Sequence, residues 1–299
     1  MGPGDGLVRG LRGVARQGGV ALAIVVWFIA GMSLLVAGIV AQARVDTHMS
    51  QVHLFRARAV AAGDGAIQLM LADLVIGNPR VGGSPIMPVG NYRVGETEVI
   101  VRLVPRKGLI DMKTASAEVL AALFVVAGGL GEDRARLLAE NVLESRSVGG
   151  RSLGRRSVGR RSPDPPPPLE AMEDLLRVPG FTRTLLDSIR DFIVVDGTPR
   201  GTDWSLVPDT LLRLLEHANP TQADAVKARR DLKSGDEGGA GAIARDYRAD
   251  ALVRYGDKTW LRRRWISMEA GTASALPWRV VRSEPPRVLA QNNFYWVDR

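Results

Sequence analysis

Cysteine is absent from all 299 residues. That excludes disulfides, thiolate metal sites and cysteine nucleophiles, and it leaves the redox compartment open, because a cysteine-free chain suits either side of a membrane. Histidine is nearly absent too: His48, His53 and His217 are too few and too scattered to build a HExxH-type metal centre. Aromatic residues make up only 5%. No GxxxxGK loop, no serine with a plausible base and acid, and no paired carboxylate of defined environment can be found, so an enzyme is not expected. What is present is 45% hydrophobic against 24% charged residues, enough for a buried core in a chain longer than one typical domain. Lys plus Arg total 40 and Asp plus Glu 32, a formal charge of +8. This favours anionic neighbours, phospholipid headgroups or nucleic acid, without choosing between them.

From Gln17 to Ala43 no residue is charged, and from Val20 to Ala41 only Ser33 is polar. Roughly 20 such residues suffice to cross the hydrocarbon core as a helix. Arg9, Arg12 and Arg16 precede the stretch against the single acid Asp5, which favours a cytoplasmic N-terminus and leaves the bulk outside. A cleaved secretory signal or a plain N-terminal anchor is one reading of such a segment. A conventional signal, however, carries its small-residue cleavage site after the apolar region, whereas here the small pair Gly18-Gly19 stands between the basic leader and the helix. Cleavage at that pair keeps the helix.

Basic leader, terminal glycine and an unbroken apolar helix together resemble the type IV prepilin signal. The resemblance implies cutting between Gly19 and Val20 by a prepilin peptidase and N-methylation of Val20. Counted from Val20, the fifth residue is Ile24, where most pilins and pseudopilins carry a glutamate that neutralises a neighbouring subunit's N-terminus within the membrane. Ile24 cannot do so. A subunit of this kind fits the end of a filament, where no subunit lies ahead of it, and the same loss marks the K-type minor pseudopilin of the general (type II) secretion pathway.

Beyond the span, Val45, Met49, Val52, Phe55 and Ala59 recur at steps of four or three, predicting an amphipathic helix. It reads either as a stem onto which a sheet packs or as an ordinary membrane-proximal linker. Gly63 and Gly65 predict a weak point or a close approach, and Asn78-Pro79 a stop. Asn91 to Pro105 is β-rich and predicts a strand with Val99, Val101 and Leu103 on one face and Ile100, Arg102 and Val104 on the other.

Residues 108–146 predict two short helices, capped at Thr114 or Ser116, broken at Gly128-Gly129 and restarting between Gly131 and Asp133. A shift of 92 superposes Asp111 on Asp203, Val119 on Leu211, Leu120 on Leu212 and Leu123 on Leu215, with Arg146 and Arg230 closing the two copies. Between them, Val178-Pro179-Gly180-Phe181 has the turn of a helix-hairpin-helix. Such turns either grip phosphate through exposed amides or merely pack helices; without a second glycine, packing is the expectation here. Arg146 to Pro163 holds six arginines and no acid, followed by the prolines 165–168, and predicts a mobile insertion with affinity for anionic lipid or an acidic partner as its functional alternative. At the C-terminus, TWLRRRWISME and LPWRVVRSE predict strands joined by a turn at 271–275, with Arg262, Arg263 and Arg264 as a solvated edge.

In order of features the chain resembles general secretion pathway protein K over most of its length, with Lys113 where that family's IDLN-like helical start has asparagine and a degraded second start at Asp203-Trp204-Ser205-Leu206. The resemblance implies an α+β fold: a pilin-like long N-terminal helix packed on an antiparallel sheet, with a large inserted all-α domain of helix-hairpin-helix or SAM-like type. The implied boundaries are a leader at 1–19, a transmembrane helix at 20–43, a stem at 44–78, pilin-like parts at 79–107 and 236–299, and a helical insertion at 108–235 with its arginine/proline loop at 146–168. It further implies a minor pseudopilin of the inner membrane, single-pass and with its bulk in the periplasm, capping a pseudopilus tip. The implied partners are other minor pseudopilins, the major pseudopilin, prepilin peptidase and membrane lipid, with the outer-membrane secretin or cargo as further contacts and nucleic acid not expected. Calcium is known in sheet domains of that family, yet Asp236, Glu237, Asp246, Asp250 and Asp257 form no recognised ligand loop, so no ligands are assigned. The competing readings are a membrane-tethered helix-hairpin-helix protein of DNA uptake and a minor pilin of a true type IV pilus.

Overall fold

The computed structural model describes residues 18–84, 87–151, 169–195, 201–234, 244–255, 258–269 and 275–289. It divides into two units, Met1–Arg58 and Ala59–Arg299, with the boundary falling inside the first helix, α1 (Gly18–Ile76). In the first unit the described residues are all helical, and the large apolar side chains are exposed, among them Val45, Met49, Val52 and Phe55 of the amphipathic stripe.

In the second unit the last turns of α1 cover one face of an antiparallel sheet. The strands are β1 (Gly82–Ser84), β2 (Met87–Val94), β3 (Thr97–Pro105), β6 (Asp246–Tyr255), β7 (Lys258–Ser267), β8 (Arg279–Ser283) and β9 (Arg287–Leu289). They run in the order β1-β2-β3-β6-β7-β8, with β9 also paired to β7. Ala59, Ala62, Ala66, Ile67, Met70 and Leu71 of the helix meet Val99, Val101 and Leu103 of β3 and Tyr247, Ala249, Ala251 and Val253 of β6 in one buried cluster. Burying each large aliphatic side chain of that set contributes about 1.5–3 kcal/mol. The stretch read as one strand from Asn91 is a hairpin, because Gly95-Glu96 forms a two-residue turn between β2 and β3.

Gly63 marks a close approach rather than a weak point. A Cβ built there would lie 2.8 Å from the Cβ of Arg262, so only glycine lets the helix settle onto β7. α1 ends at Ile76, just ahead of Asn78-Pro79. Gly77, at φ +67, turns the chain into the left-handed region, and the N–H of Asn78 returns to the carbonyl of Asp73 at 2.9 Å, as in a Schellman cap.

Between β3 and β6 lie the helical elements: α2 (Ala117–Val126), α3 (Glu132–Arg151), α4 (Arg183–Ile189), α5 (Asp209–Ala218) and α6 (Pro220–Ser234). Two short parallel strands, β4 (Ile110–Asp111) and β5 (Ile193–Val194), accompany them. They enclose their own core, in which Leu120, Leu123 and Phe124 pack with Leu138, Val142, Leu186, Ile189, Leu211 and Leu215. The proposed repeat is present in three dimensions. Residues Ala117–Val126 shifted by 92 coincide with α5. Asp111 accepts from the N–H of Lys113 at 2.9 Å, as Asp203 does from Ser205 at 3.1 Å. Arg146 donates to the carbonyl of Ala115 at 2.7 Å, and Arg230 donates to that of Val207, 92 positions later. Each arginine thereby ties the end of its pair to the chain just before the pair begins. Only the second helices differ in register: counted back from these arginines, Leu138, Asn141 and Val142 answer to Gln222, Ala225 and Val226, a shift of 84.

Two expectations need correction. Arg146 does not open a loop: α3 continues through Arg151, with Arg146 bonded to the part-buried carbonyl of Ala115, and the remainder of the arginine/proline stretch, 152–168, lies outside the described residues. Nor do Arg262, Arg263 and Arg264 form a solvated edge. β7 is paired on both sides, and Arg262 and Arg263 are buried. TWLRRRWISME and LPWRVVRSE form β7 and β8; β6 precedes them, and its core-facing residues Tyr247, Ala249, Ala251 and Val253 alternate with Arg248 and Asp250.

Candidate functional site in the apolar N-terminal segment

Gly19 and Val20 lie in the first turn of α1, and Ile24 stands one turn beyond Val20 with its side chain exposed. Its surroundings are uniformly apolar and uniformly exposed: Trp27 at 83%, Leu34 at 76% and Phe28 at 67%. A soluble surface does not carry such a band, since contiguous exposed apolar area marks a partner or a bilayer. The lone hydroxyl of the stretch is satisfied within the helix, Ser33 donating to the carbonyl of Ile29 at 2.8 Å. A helix that bonds all its own polar groups is what hydrocarbon tolerates. Polar capping resumes where the run ends: Thr47 donates to the Ala43 carbonyl at 2.8 Å and Gln42 to the Asp46 carboxylate at 3.1 Å. Among the described residues, one helix is long and apolar enough to span a membrane, with mean hydropathy 2.5 over its best window. Its length and composition fit a transmembrane anchor.

In the second unit the charged groups do the reverse. Arg262 and Arg264 project from β7 toward α1 and share Asp64, the Arg262 Nε at 2.7 Å. Their cross-strand partners on β6 are Ala251 and Ala249, small enough to leave room for two guanidinium groups under the helix. Arg263, between them, faces the opposite side. Its Nε and Nη2 grip the two oxygens of Asp250 at 2.6 and 3.0 Å, and its Nη1 reaches Asp191 at 2.8 Å. Arg248, fully buried, donates to Asp250 and, at 2.6 Å, to the carbonyl of Asp191; Arg287 also pairs with the Asp191 carboxylate. Glu284 accepts from the indole of Trp265 at 2.9 Å, and Arg282 lies 4.8 Å from that ring's centre.

Asp191 follows α4, so the network joins the helical elements to the far face of the sheet. Burial alone would raise its pKa, but Arg263, Arg287 and Arg248 outweigh burial and hold it far below the ordinary carboxylate value. Asp250 is pulled down in the same way by Arg248 and Arg263 against its own burial. Arg263 gains more from Asp250 and Asp191 than burial takes away, and its pKa rises. A network in which both carboxylates are held by arginines fixes geometry. The signal for it was in the sequence: three consecutive arginines in a strand must place one on the face opposite the other two.

The hairpin turn is also occupied. Asn141 of α3 donates to the carbonyl of Pro179 at 3.0 Å, and Gly180 sits over Leu138. The first element of the motif, Met172–Arg177, is a 3-10 turn instead of an α-helix. This is the packing form of the motif. For calcium, the described residues contain no group of three or more metal-ligating side chains, and Asp250 is committed to arginines; Asp236, Glu237 and Asp257 lie outside them.

The molecule is thus an α+β protein in which a long N-terminal helix packs by its end on an antiparallel sheet, with a helical insertion between two neighbouring strands. The sequence matches no family profile and no curated protein. Among solved structures, the chain is similar to one from the crystal structure of the GspK-GspI-GspJ complex of the enterotoxigenic Escherichia coli type 2 secretion system. The identity is 16% and the TM-score 0.39, over 83% of this chain and 99% of that one.

Proposed function

We propose that the chain is a minor pseudopilin of a type II secretion system. Residues 1–19 are a leader, 20–43 the membrane span and 44–78 the stem. The pilin-like part is 79–107 with 236–299, and 108–235 form an inserted helical domain. Prepilin peptidase cuts between Gly19 and Val20 and methylates Val20. The role is structural, without catalysis. The observation that carries this reading is the order of elements on one chain: a basic leader ending in Gly18-Gly19, an apolar helix whose later residues pack on an antiparallel sheet, and a helical insertion between β3 and β6.

Ile24 supports the tip position. With no ionisable side chain between Gln17 and Ala43, the span has nothing to neutralise a neighbour's ammonium in hydrocarbon, where an unpaired ion costs several kcal/mol. The subunit therefore suits the filament end, beside other minor pseudopilins and above the major one, with the helical insertion as a bulky terminator facing the secretin or cargo.

Intact-mass analysis of the protein taken from its native membrane tests the processing. The expected product begins at methylated Val20; a chain beginning beyond Ala41 overturns the proposal.

A further inference from the structure

The two helical pairs are built alike, yet among the described residues only the first has its outer surface covered. On α3, Leu138 is buried and Asn141 half-buried because the turn Val178-Pro179-Gly180-Phe181 sits on them, held by the Asn141 carboxamide on the Pro179 carbonyl at 3.0 Å and by Gly180 over Leu138. On α6, the matching Gln222 and Ala225 are exposed. Val142 is fully buried where its counterpart Val226 is half-exposed, and Ser145 is half-buried where Arg229 is exposed. At every one of these four positions the second copy is more open than the first. What lies over α6 instead is a groove of about 510 Å³, lined by Gln222, Ala225 and Arg229 together with Lys107 and Trp204.

We infer that this groove is a docking site for a Pro-Gly-type turn of an acidic partner protein, the intermolecular counterpart of the turn that this chain lays on α3. The shape argument is the internal repeat: the same helix-pair geometry already accommodates such a turn once. The charge argument sets the sign of the partner. Lys107 and Arg229 line the groove, and its one carboxylate, Asp203, is engaged by the N–H and hydroxyl of Ser205. Two cations against that single carboxylate leave the groove net positive, so a turn flanked by Asp or Glu is attracted to it. Trp204, half-buried at the groove wall, supplies the apolar and aromatic surface on which a proline ring packs. Gln222 provides a carboxamide one turn from the position at which Asn141 binds the Pro179 carbonyl. The proposal deepens the reading of the insertion as a contact surface, and its test is independent of N-terminal processing.

The probe is a labelled synthetic peptide copying residues 170–184 of this chain with Arg177→Glu, which keeps the turn and makes it acidic. It is titrated into the detergent-solubilised full-length protein and followed by fluorescence anisotropy. The expected result is saturable binding that Ala225→Trp abolishes by filling the groove and that Arg229→Glu weakens about fivefold, the worth of an exposed ion pair. Asn141→Ala, on the covered pair, leaves it unchanged. Circular dichroism identical to the parent shows that the surface variants fold. Absence of saturable binding overturns the inference, and so does binding indifferent to Ala225→Trp.

Discussion

The apolar segment and the sheet invert each other. Between residues 21 and 43 large apolar side chains are exposed, Trp27 at 83%, while on β6 and β7 the guanidinium groups of Arg248 and Arg263 are 0% and 2% exposed. Neither region follows the rule of greasy inside and charged outside, and the reasons differ. The exposed apolar band calls for a bilayer or a partner to cover it, and the buried charges are stable only because each meets a counter-charge at hydrogen-bond distance. One region is explained by what covers it, the other by what pairs with it.

The largest effect that would break this comparison is the removal of a partner. Asp250→Ala leaves Arg248 and Arg263 buried without their shared carboxylate and is expected to cost about 3–5 kcal/mol in urea unfolding. Glu98→Ala, which opens the Arg93–Glu98 pair exposed at 71% and 70%, is expected to cost no more than about 1 kcal/mol. Equal losses would mean that burial is irrelevant to the network. A charge placed in the apolar band should cost about 3 kcal/mol of membrane insertion. Leu34→Arg would then lower the fraction of protein that resists alkaline carbonate extraction, and an unchanged fraction would argue that no bilayer surrounds the segment.

The carboxylates also set a pH dependence. Asp191 and Asp250 titrate below their unfolded value of about 4. Their contribution is therefore present above pH about 4 and is lost as the pH falls from there through their folded pKa values. Urea midpoints should decline through that range and should decline less steeply in Asp191→Asn, whereas parallel curves for parent and variant would remove Asp191 from the account. Gly63→Leu presses a side chain against Arg262 and is expected to cost about 1–3 kcal/mol. The smallest effect is a gain. Arg230 has the carboxylate of Asp209 at 3.0 Å, and the position 92 residues earlier is Ala117. Ala117→Asp should place an acid beside Arg146 and in the first turn of α2, adding about 0.5 kcal/mol in the same unfolding measurement.

Much of the architecture was legible locally. The 22-residue apolar run and the cap of α2 depend on neighbours in sequence, and the structure selects Ser116 over Thr114 as that cap; the 92-residue repeat is legible by comparing the chain with itself and coincides with α5. Gly77 was overlooked beside the more conspicuous Asn78-Pro79, although glycine at a helix end is the commoner stop. β6 shows no clean alternation in the sequence, because its buried Arg248 and Asp250 mimic an exposed face. The arginines of β7 were misplaced for the same reason: their counter-charges, Asp64, Asp191 and Asp250, are scattered over nearly 200 positions of chain.

By itself the sequence determined where the chain is apolar enough to span a membrane and where helices start, since hydropathy and capping act over a few residues. Only the tertiary structure decided that Arg262 and Arg264 face a helix while Arg263 faces Asp191, and that among the described residues one helix pair is covered and its twin open. Those outcomes depend on which distant groups come within about 3 Å, a distance at which a charge is either paired or prohibitive, and no local pattern encodes it.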